Sequence, residues 1–200
     1  MESTRIRIAR PPDALQILDI YRPIVADTAI SFEEDPPSVG EVERRIRSTL
    51  ETYPWLVCEG DGRLAGYAYA ARLRTRPAYQ WSVEVSAYTH VDARRSGVAR
   101  VLYTSLLEVL KRQGLIRAFA GITLPNEGSV GLHEALGFKP LGVFRNVGHK
   151  RGRWHDLGWW QLTLQDPPEH PEPPVPFRIF CETDECDEAL LAGESFLRLG

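Results

Sequence analysis

The apolar residues change period several times along the chain, and each change marks an element. Residues 5–8 alternate Arg5 and Arg7 with Ile6 and Ile8, the pattern of a half-buried strand, and Pro11-Pro12 stop it. Asp13 then opens a helix with Ala14, Leu15, Leu18, Tyr21 and Val25 on one side, which Pro23 is expected to kink or end. Residues 28–37 read as a loop carrying one isolated aromatic, Phe32. Ser38-Val39-Gly40-Glu41 has the form of a capping box, and Val42, Ile46 and Leu50 follow at fourfold spacing, which predicts a second helix. Residues 55–59 and 63–70, joined by Gly60-Asp61-Gly62, predict a hairpin with Cys58 packed inside its first strand.

The clearest pattern follows. Val83, Val85, Ala87, Thr89 and Val91 fall on one face of an extended strand, with Glu84, Ser86, Tyr88 and His90 on the other. From Val98 the period lengthens: Val98, Val101, Leu102, Leu106, Val109 and Leu110 lie at helical spacing. Strand runs into helix through Asp92-Ala93-Arg94-Arg95-Ser96-Gly97. Residues 115–123 read as a buried strand after Gly114, residues 126–136 as a helix ended by Gly137, and residues 139–148 and 154–164 as a closing antiparallel pair. The order β-α-α-β-β-β-α-β-α-β-β is mixed α/β.

At 200 residues the chain suits one domain with a remainder, and 43% hydrophobic with 26% charged residues is ordinary for a globular protein. The remainder is distinct in character. Six of the fifteen prolines lie in residues 167–176, and residues 166–200 carry nine acidic and two basic residues. That net of −7, within −3 for the chain, leaves +4 for residues 1–165. We therefore expect a folded domain over residues 1–165 and an acidic, proline-rich tail over residues 166–200, extended or poorly ordered, with a weak helix over residues 187–199. No run approaches a membrane span and no secretory leader is apparent, so a cytosolic location is expected. Cys58, Cys181 and Cys186 make no disulfide framework, and the Cys181/Cys186 pair lacks partners for a metal. A mildly basic domain suits an anionic cofactor but lacks the basic stripe of a nucleic-acid binder.

The joint before Val98 has a physical use. The first turn of a helix presents backbone N–H groups without intrahelical partners, and the macrodipole adds positive potential, so a pyrophosphate docks there without a metal. Gly97 removes the Cβ that would block close approach, while Arg94 and Arg95 add charge. The GxGxxG and GxxxxGK[ST] patterns are absent, which argues against NAD and ATP. What remains is Arg94-x-x-Gly97-x-Ala99. This resembles the acetyl-CoA pyrophosphate loop of the GCN5-related N-acetyltransferases. Trp81-x-Val83-Glu84-x-Ser86-x-Tyr88 ahead of it, then Leu124-Pro125-Asn126, Ser129, the run from His133 to Phe138, the run from Gly152 to Asp156, and Trp160-Gln161-Leu162 after it, resemble the phosphinothricin N-acetyltransferase branch. The resemblance covers about residues 4–164 and stops before the tail.

The resemblance implies a mixed sheet flanked by helices, splayed after the central strand, with acetyl-CoA in the gap and no metal. It implies cofactor contacts from Arg94, Arg95, Ser96, Gly97, Val98, Ala99 and Arg100. Ala87, Tyr88 and Thr89 would lie at a bulge in the central strand that pairs with pantetheine. Asn126 either caps its helix or bonds the cofactor. It places the acceptor near Phe32, Arg74, Arg76, Val85 and Ser86, the arginines facing an acidic group.

Glu84 is a carboxylate within an apolar and small-residue strand, costly unless paired or open to a cleft, so it is a candidate base as well as a candidate ion-pair residue. His133 is a candidate acid toward the thiolate or base toward the amine, and spacing does not choose between them. The reading is an acetyl-CoA-dependent N-acetyltransferase acting on the α-amine of a small amino-acid analogue. The alternatives are another acceptor (a polyamine, an aminoglycoside or a protein N-terminus) and an acyl-CoA-binding module without turnover. The family also implies a homodimer.

Overall fold

The computed structural model describes residues 4–199, with side chains through residue 196. The ends of the two expected regions, residues 1–3 and 200, lie outside the described residues. Seven strands form one sheet in the order β1-β2-β3-β4-β5-β7-β6. They are β1 (Arg5–Ile8), β2 (Trp55–Gly60), β3 (Arg63–Arg72), β4 (Ser82–Thr89), β5 (Arg117–Leu124), β6 (Lys139–Lys150) and β7 (Arg153–Thr163). All neighbours pair antiparallel except β4 and β5.

Four helices cover the sheet as the periodicity predicts. On one face lie α1 (Ala14–Asp27) and α2 (Val39–Leu50). Their buried residues, among them Ile17, Leu18, Tyr21, Val42 and Ile46, pack on Trp55, Val57 and Tyr67. Pro23 sits within α1, which continues four residues past it, and Leu15 is exposed rather than buried. Ser38 caps α2 by accepting from the Glu41 N–H at 3.2 Å. The reciprocal half of the expected capping box is replaced by a Glu41–Arg45 ion pair at 2.8 Å. On the other face α3 (Val98–Arg112) buries Val101, Leu102, Leu106 and Leu110 against Val83, Val85, Ala68 and Ala118. Beside it runs α4 (Glu127–Ala135), capped by Asn126, whose side-chain oxygen accepts from the Ser129 N–H at 3.2 Å.

Residues 166–200 depart from expectation. After an extended proline segment the chain forms α5 (Phe177–Phe180) and α6 (Asp184–Leu191), then a 3-10 turn over Glu194–Leu199. Phe177, Phe180, Cys186 and Ala189 are buried with Val109 in a third apolar cluster on the outer side of α3. Hydrogen bonds fasten the segment to the domain: Gln113 Nε2 donates to the Val175 carbonyl (2.8 Å), Trp81 Nε1 to the Glu172 carbonyl (2.8 Å) and Ser105 Oγ to the Leu190 carbonyl (2.7 Å). The segment is therefore a packed strap and not a poorly ordered tail. Two phenylalanines supply enough apolar area for docking although the surrounding composition is acidic.

Candidate active site

Parallel pairing between β4 and β5 lasts three rungs, Ser82 with Arg117, Val83 with Ala118 and Glu84 with Phe119. Beyond Glu84 the strands separate, while β5 continues to pair with β7 as far as Leu124 opposite Asp156. The far half of β4 thus keeps β3 as its only strand partner. The orientation of its backbone follows from its two ends. The Trp81 carbonyl accepts from Ile116 N–H on the β5 side, and His90 N–H donates to the Ala65 carbonyl on the β3 side. With a period of two, the Val85 carbonyl and the N–H and C=O groups of Ala87 and Thr89 point into the gap, the Val85 N–H being used by the last rung to Phe119, whereas Tyr88 aims its groups at β3.

Two expectations change here. Pairing of β3 with β4 runs from Arg72–Val83 to Gly66–Thr89 without a register shift, so divergence from β5, and not a bulge, opens the backbone. Of the expected trio, Ala87 and Thr89 face the gap with their backbone and Tyr88 does not. Val85, expected at the acceptor, is 3% exposed and lies under α3, so only its carbonyl reaches the gap.

At the wide end of the gap sits the basic joint. Gly97 caps α3 with φ +86°, a left-handed conformation that favours glycine, and Arg95 also has positive φ. Arg94, Arg95, Ser96 and Arg100 are exposed, Ala99 is half-buried, and Val98 begins the helix with its side chain in the core. Unpaired first-turn N–H groups, flanking guanidiniums and an open strand edge fit a pyrophosphate followed by an extended amide-bearing arm.

Glu84 lies at the vertex, on the last rung before divergence, half-buried on the α1/α2 face. Burial pushes its carboxyl pKa up, and the Arg74 guanidinium pulls it partly back. Around it on that face stand Tyr88, which the sequence reading assigned to the cofactor, and Tyr21, Tyr67 and Tyr69, which it did not assign to the site. Tyr69 stands opposite Ser86 and Tyr67 opposite Tyr88. The Tyr88 ring meets Tyr21 edge-on at 5.1 Å and Tyr67 at 5.3 Å. Periodicity registers these positions only as apolar, so nothing in it separates a cleft wall from a core.

His133 is 5% exposed. Its Nδ1 is 2.7 Å from the Ser129 carbonyl, which fixes the proton there, so Nε2 accepts the Tyr103 hydroxyl at 3.0 Å. Burial lowers its pKa, and the Ser129 carbonyl opposes this in part. The ring is therefore a neutral acceptor paired with a buried phenol. Tyr103, on α3 and thirty residues away, is a member of the site that no local pattern announced.

The arginines divide. Arg74 borders a cavity of about 350 Å³ with Leu73, Tyr79, Phe119, Phe144 and Trp159. A second cavity of about 450 Å³ also takes in Arg74, but adds Arg76 and the strap residues Pro173, Pro174 and Pro176. Both guanidiniums are exposed, and only Arg74 stands beside the site face near Phe119. Residues 28–34 span the opening. The Ser31 and Tyr21 hydroxyls are 2.7 Å apart on the β4 side, and Thr123 Oγ1 of β5 donates to the Ile30 carbonyl at 3.3 Å. Phe32 rests on β6 at Gly148, where any Cβ would collide with its ring.

A sheet opened on one side of a central strand, with a basic helix entry at the wide end and a buried carboxylate at the vertex, defines an acyl-CoA-dependent transferase. Residues 6–159 match the acetyltransferase (GNAT) domain, and the chain belongs to that family. The phosphinothricin N-acetyltransferase of Streptomyces viridochromogenes is 39% identical over 173 residues, covering 86% of this chain and 92% of that one. An L-methionine sulfoximine/L-methionine sulfone acetyltransferase of Pseudomonas paraeruginosa is 36% identical over 164 residues, covering 81% and 95%. A phosphinothricin acetyltransferase from Sinorhizobium meliloti, solved in complex with AcCoA, superimposes with a TM-score of 0.80 at 33% identity, covering 88% of this chain and 99% of that one.

Proposed function

We propose that this protein transfers the acetyl group of acetyl-CoA to the α-amine of a small amino-acid analogue of the phosphinothricin, methionine sulfoximine or methionine sulfone type. The carrying observation is Glu84, a half-buried carboxylate with a raised pKa at the vertex of the opened sheet. When bound, acetyl-CoA supplies an activated acyl group. Its pyrophosphate would be held by the first-turn N–H groups of α3 and by Arg94, Arg95 and Arg100, and its pantetheine arm by the open backbone of Ala87 and Thr89 with the Val85 carbonyl. Glu84 takes the proton from the attacking amine directly or through one water, and burial sets its basicity nearer neutrality than an exposed carboxylate's. His133 enters as a neutral hydrogen-bond acceptor: with Nδ1–H committed to Ser129, Nε2 holds the Tyr103 hydroxyl, and burial makes the ring a weaker base than an ordinary histidine. The proton given up by Glu84 returns to the thiol leaving group through water. Tyr21, Tyr69, Tyr88 and Phe32 wall the acceptor, and Arg74 offers a cation to its acidic groups.

A thiol-release assay with an acceptor panel tests this reading. Turnover on amino-acid analogues, and little on polyamines, aminoglycosides or peptide N-termini, is the expected result. The reverse order overturns the acceptor assignment, and no release with any amine overturns the enzyme.

The apolar edge of β6 supports a homodimer: Leu141, Phe144 and Val147 are 49–56% exposed, and Trp154 across the hairpin is 61% exposed. Light scattering at micromolar concentration checks it. The three free cysteines favour the cytosol as its working compartment. No helix among the described residues is long and apolar enough to cross a membrane.

A further inference from the structure

The last residue of β6 is a buried lysine that the reaction does not use. Lys150 is 8% exposed, and its Nζ donates to three backbone carbonyls: Val25 (2.8 Å), Ser31 (2.7 Å) and Glu33 (2.6 Å). Three acceptors consume all three N–H bonds of an ammonium, leaving none for water. Burying such a charge is expensive, and a helix end needs nothing of the kind. The next residue shows the cheaper solution, since the exposed Arg151 caps the Ala26 carbonyl of the same helix at 2.7 Å.

What the buried ammonium adds is geometry. Val25 closes the last turn of α1, and Ser31 and Glu33 flank Phe32, so one atom fixes where the helix ends and both sides of the aromatic residue that follows. Phe32 is further held by close contact with Gly148 and by the His155 ring at 6.3 Å. His155 Nε2 in turn bonds the Lys150 carbonyl at 3.0 Å. Glu33, on the other flank, pairs with Arg45 of α2 at 2.7 Å. The loop that crosses from the β4 arm to the β5 arm is thereby referenced to the β6–β7 hairpin.

We propose that Lys150 is a positioning residue for acceptor recognition: it holds Phe32 and Glu33 over the Glu84 cleft while touching no reacting atom. The inference rests on the reading that the acceptor binds beneath residues 28–34. The test is Lys150→Met in the full chain, which keeps side-chain length and removes the charge and all three donors. With the best acceptor of the wild-type protein, the acceptor KM should rise about tenfold to a hundredfold, the scale of a small misplacement. The acetyl-CoA KM should stay within about twofold, because the pyrophosphate joint is separate from this loop. Amide hydrogen exchange over residues 29–34 should accelerate, with exchange in α3 unchanged.

Lys150→Arg should fall in between, because a planar guanidinium cannot serve three convergent carbonyls. It also carries the comparison if Lys150→Met fails to fold. An unchanged acceptor KM in a folded variant overturns the proposal, as does loss of activity that merely follows the folded fraction with both KM values preserved. Failure of the parent reading looks different: the wild-type protein would itself refuse amino-acid analogues, and the same KM comparison would then be made with the amine it accepts.

Discussion

Replacing Phe180 by alanine perturbs the C-terminal strap at its anchor. Phe180 is 3% exposed and Phe177 1%, and with Cys186 and Ala189 they seal the outer side of α3 around Val109. Emptying a buried phenylalanine site costs about 3–5 kcal/mol in transfer and cavity terms. Set against the roughly 5–15 kcal/mol total of a typical domain, that is a large share from one side chain. For a chain of this size each kcal/mol moves Tm by about 2–4 °C, so Phe180→Ala should melt roughly 6–20 °C below wild type. Truncation after Gln165 should cost at least as much, since it also bares Val109 and removes the partners of Gln113 and Ser105. Circular dichroism melts of both variants, with and without acetyl-CoA, provide the measurement. Transitions within about 2 °C of wild type would show that the strap contributes little and that the composition-based expectation was the better guide.

Glu84→Gln should retain acetyl-CoA binding by calorimetry and lose about 10²- to 10⁴-fold in kcat; near-normal turnover would reduce the carboxylate to a structural group. Because burial raises the folded-state pKa of Glu84, its favourable contribution is present in acid and lost as pH rises through that value. Glu84→Gln should therefore gain stability over wild type at neutral and alkaline pH and show no gain below about pH 4, and a gain confined to acid would refute the burial argument. His133 should protonate only at a lower pH than an ordinary histidine, because burial disfavours its charged form; an imidazole resonance titrating at or above the usual value would contradict the Ser129–His133–Tyr103 arrangement. Gly97→Glu should abolish acetyl-CoA binding in a folded protein by putting a carboxylate at the helix entry, while Gly97→Ala isolates the backbone cost of about 1–2 kcal/mol. Calorimetry showing equal affinity in both would rule the joint out.

Much of this was legible because it is periodic. The alternation through Val83 to Val91 placed Glu84 and Ser86 on one face and Val83 and Val85 on the other, as the sheet has them. The same alternation already argued against Val85 as an acceptor contact, which came from family resemblance alone. Tyr88 is the subtler case: its side chain faces the cleft while its main chain pairs with β3, a distinction that needs the strand's neighbours and not its sequence. Lys150 gave no signal, since its partners lie 117–125 residues away and are backbone atoms, which any residue type provides. The strap was hidden differently. Phe177 and Phe180 sit in a helix of four residues, too short to show a period, within a segment whose acidic, proline-rich average describes the exposed majority rather than the buried few.

The three-rung junction between β4 and β5 has a consequence for handling and folding. A sheet edge is ordinarily a hazard, a row of unpaired donors and acceptors that will template on another polypeptide, and proteins blunt it at the rim with charge, proline or a covering loop. Here the open edge lies in the middle of the sheet and is kept open for a non-peptide arm, so it cannot be blocked along its length by proline or by another strand. Access is limited instead by shape, because the wedge closes to full pairing at Glu84 and the joint at Gly97 guards its mouth with positive charge. Partly unfolded chains that lose this wedge expose two complementary edges at once. Concentrated protein should accordingly cluster by strand exchange when α3 loosens, and acetyl-CoA should slow that clustering at concentrations where it stabilises the fold.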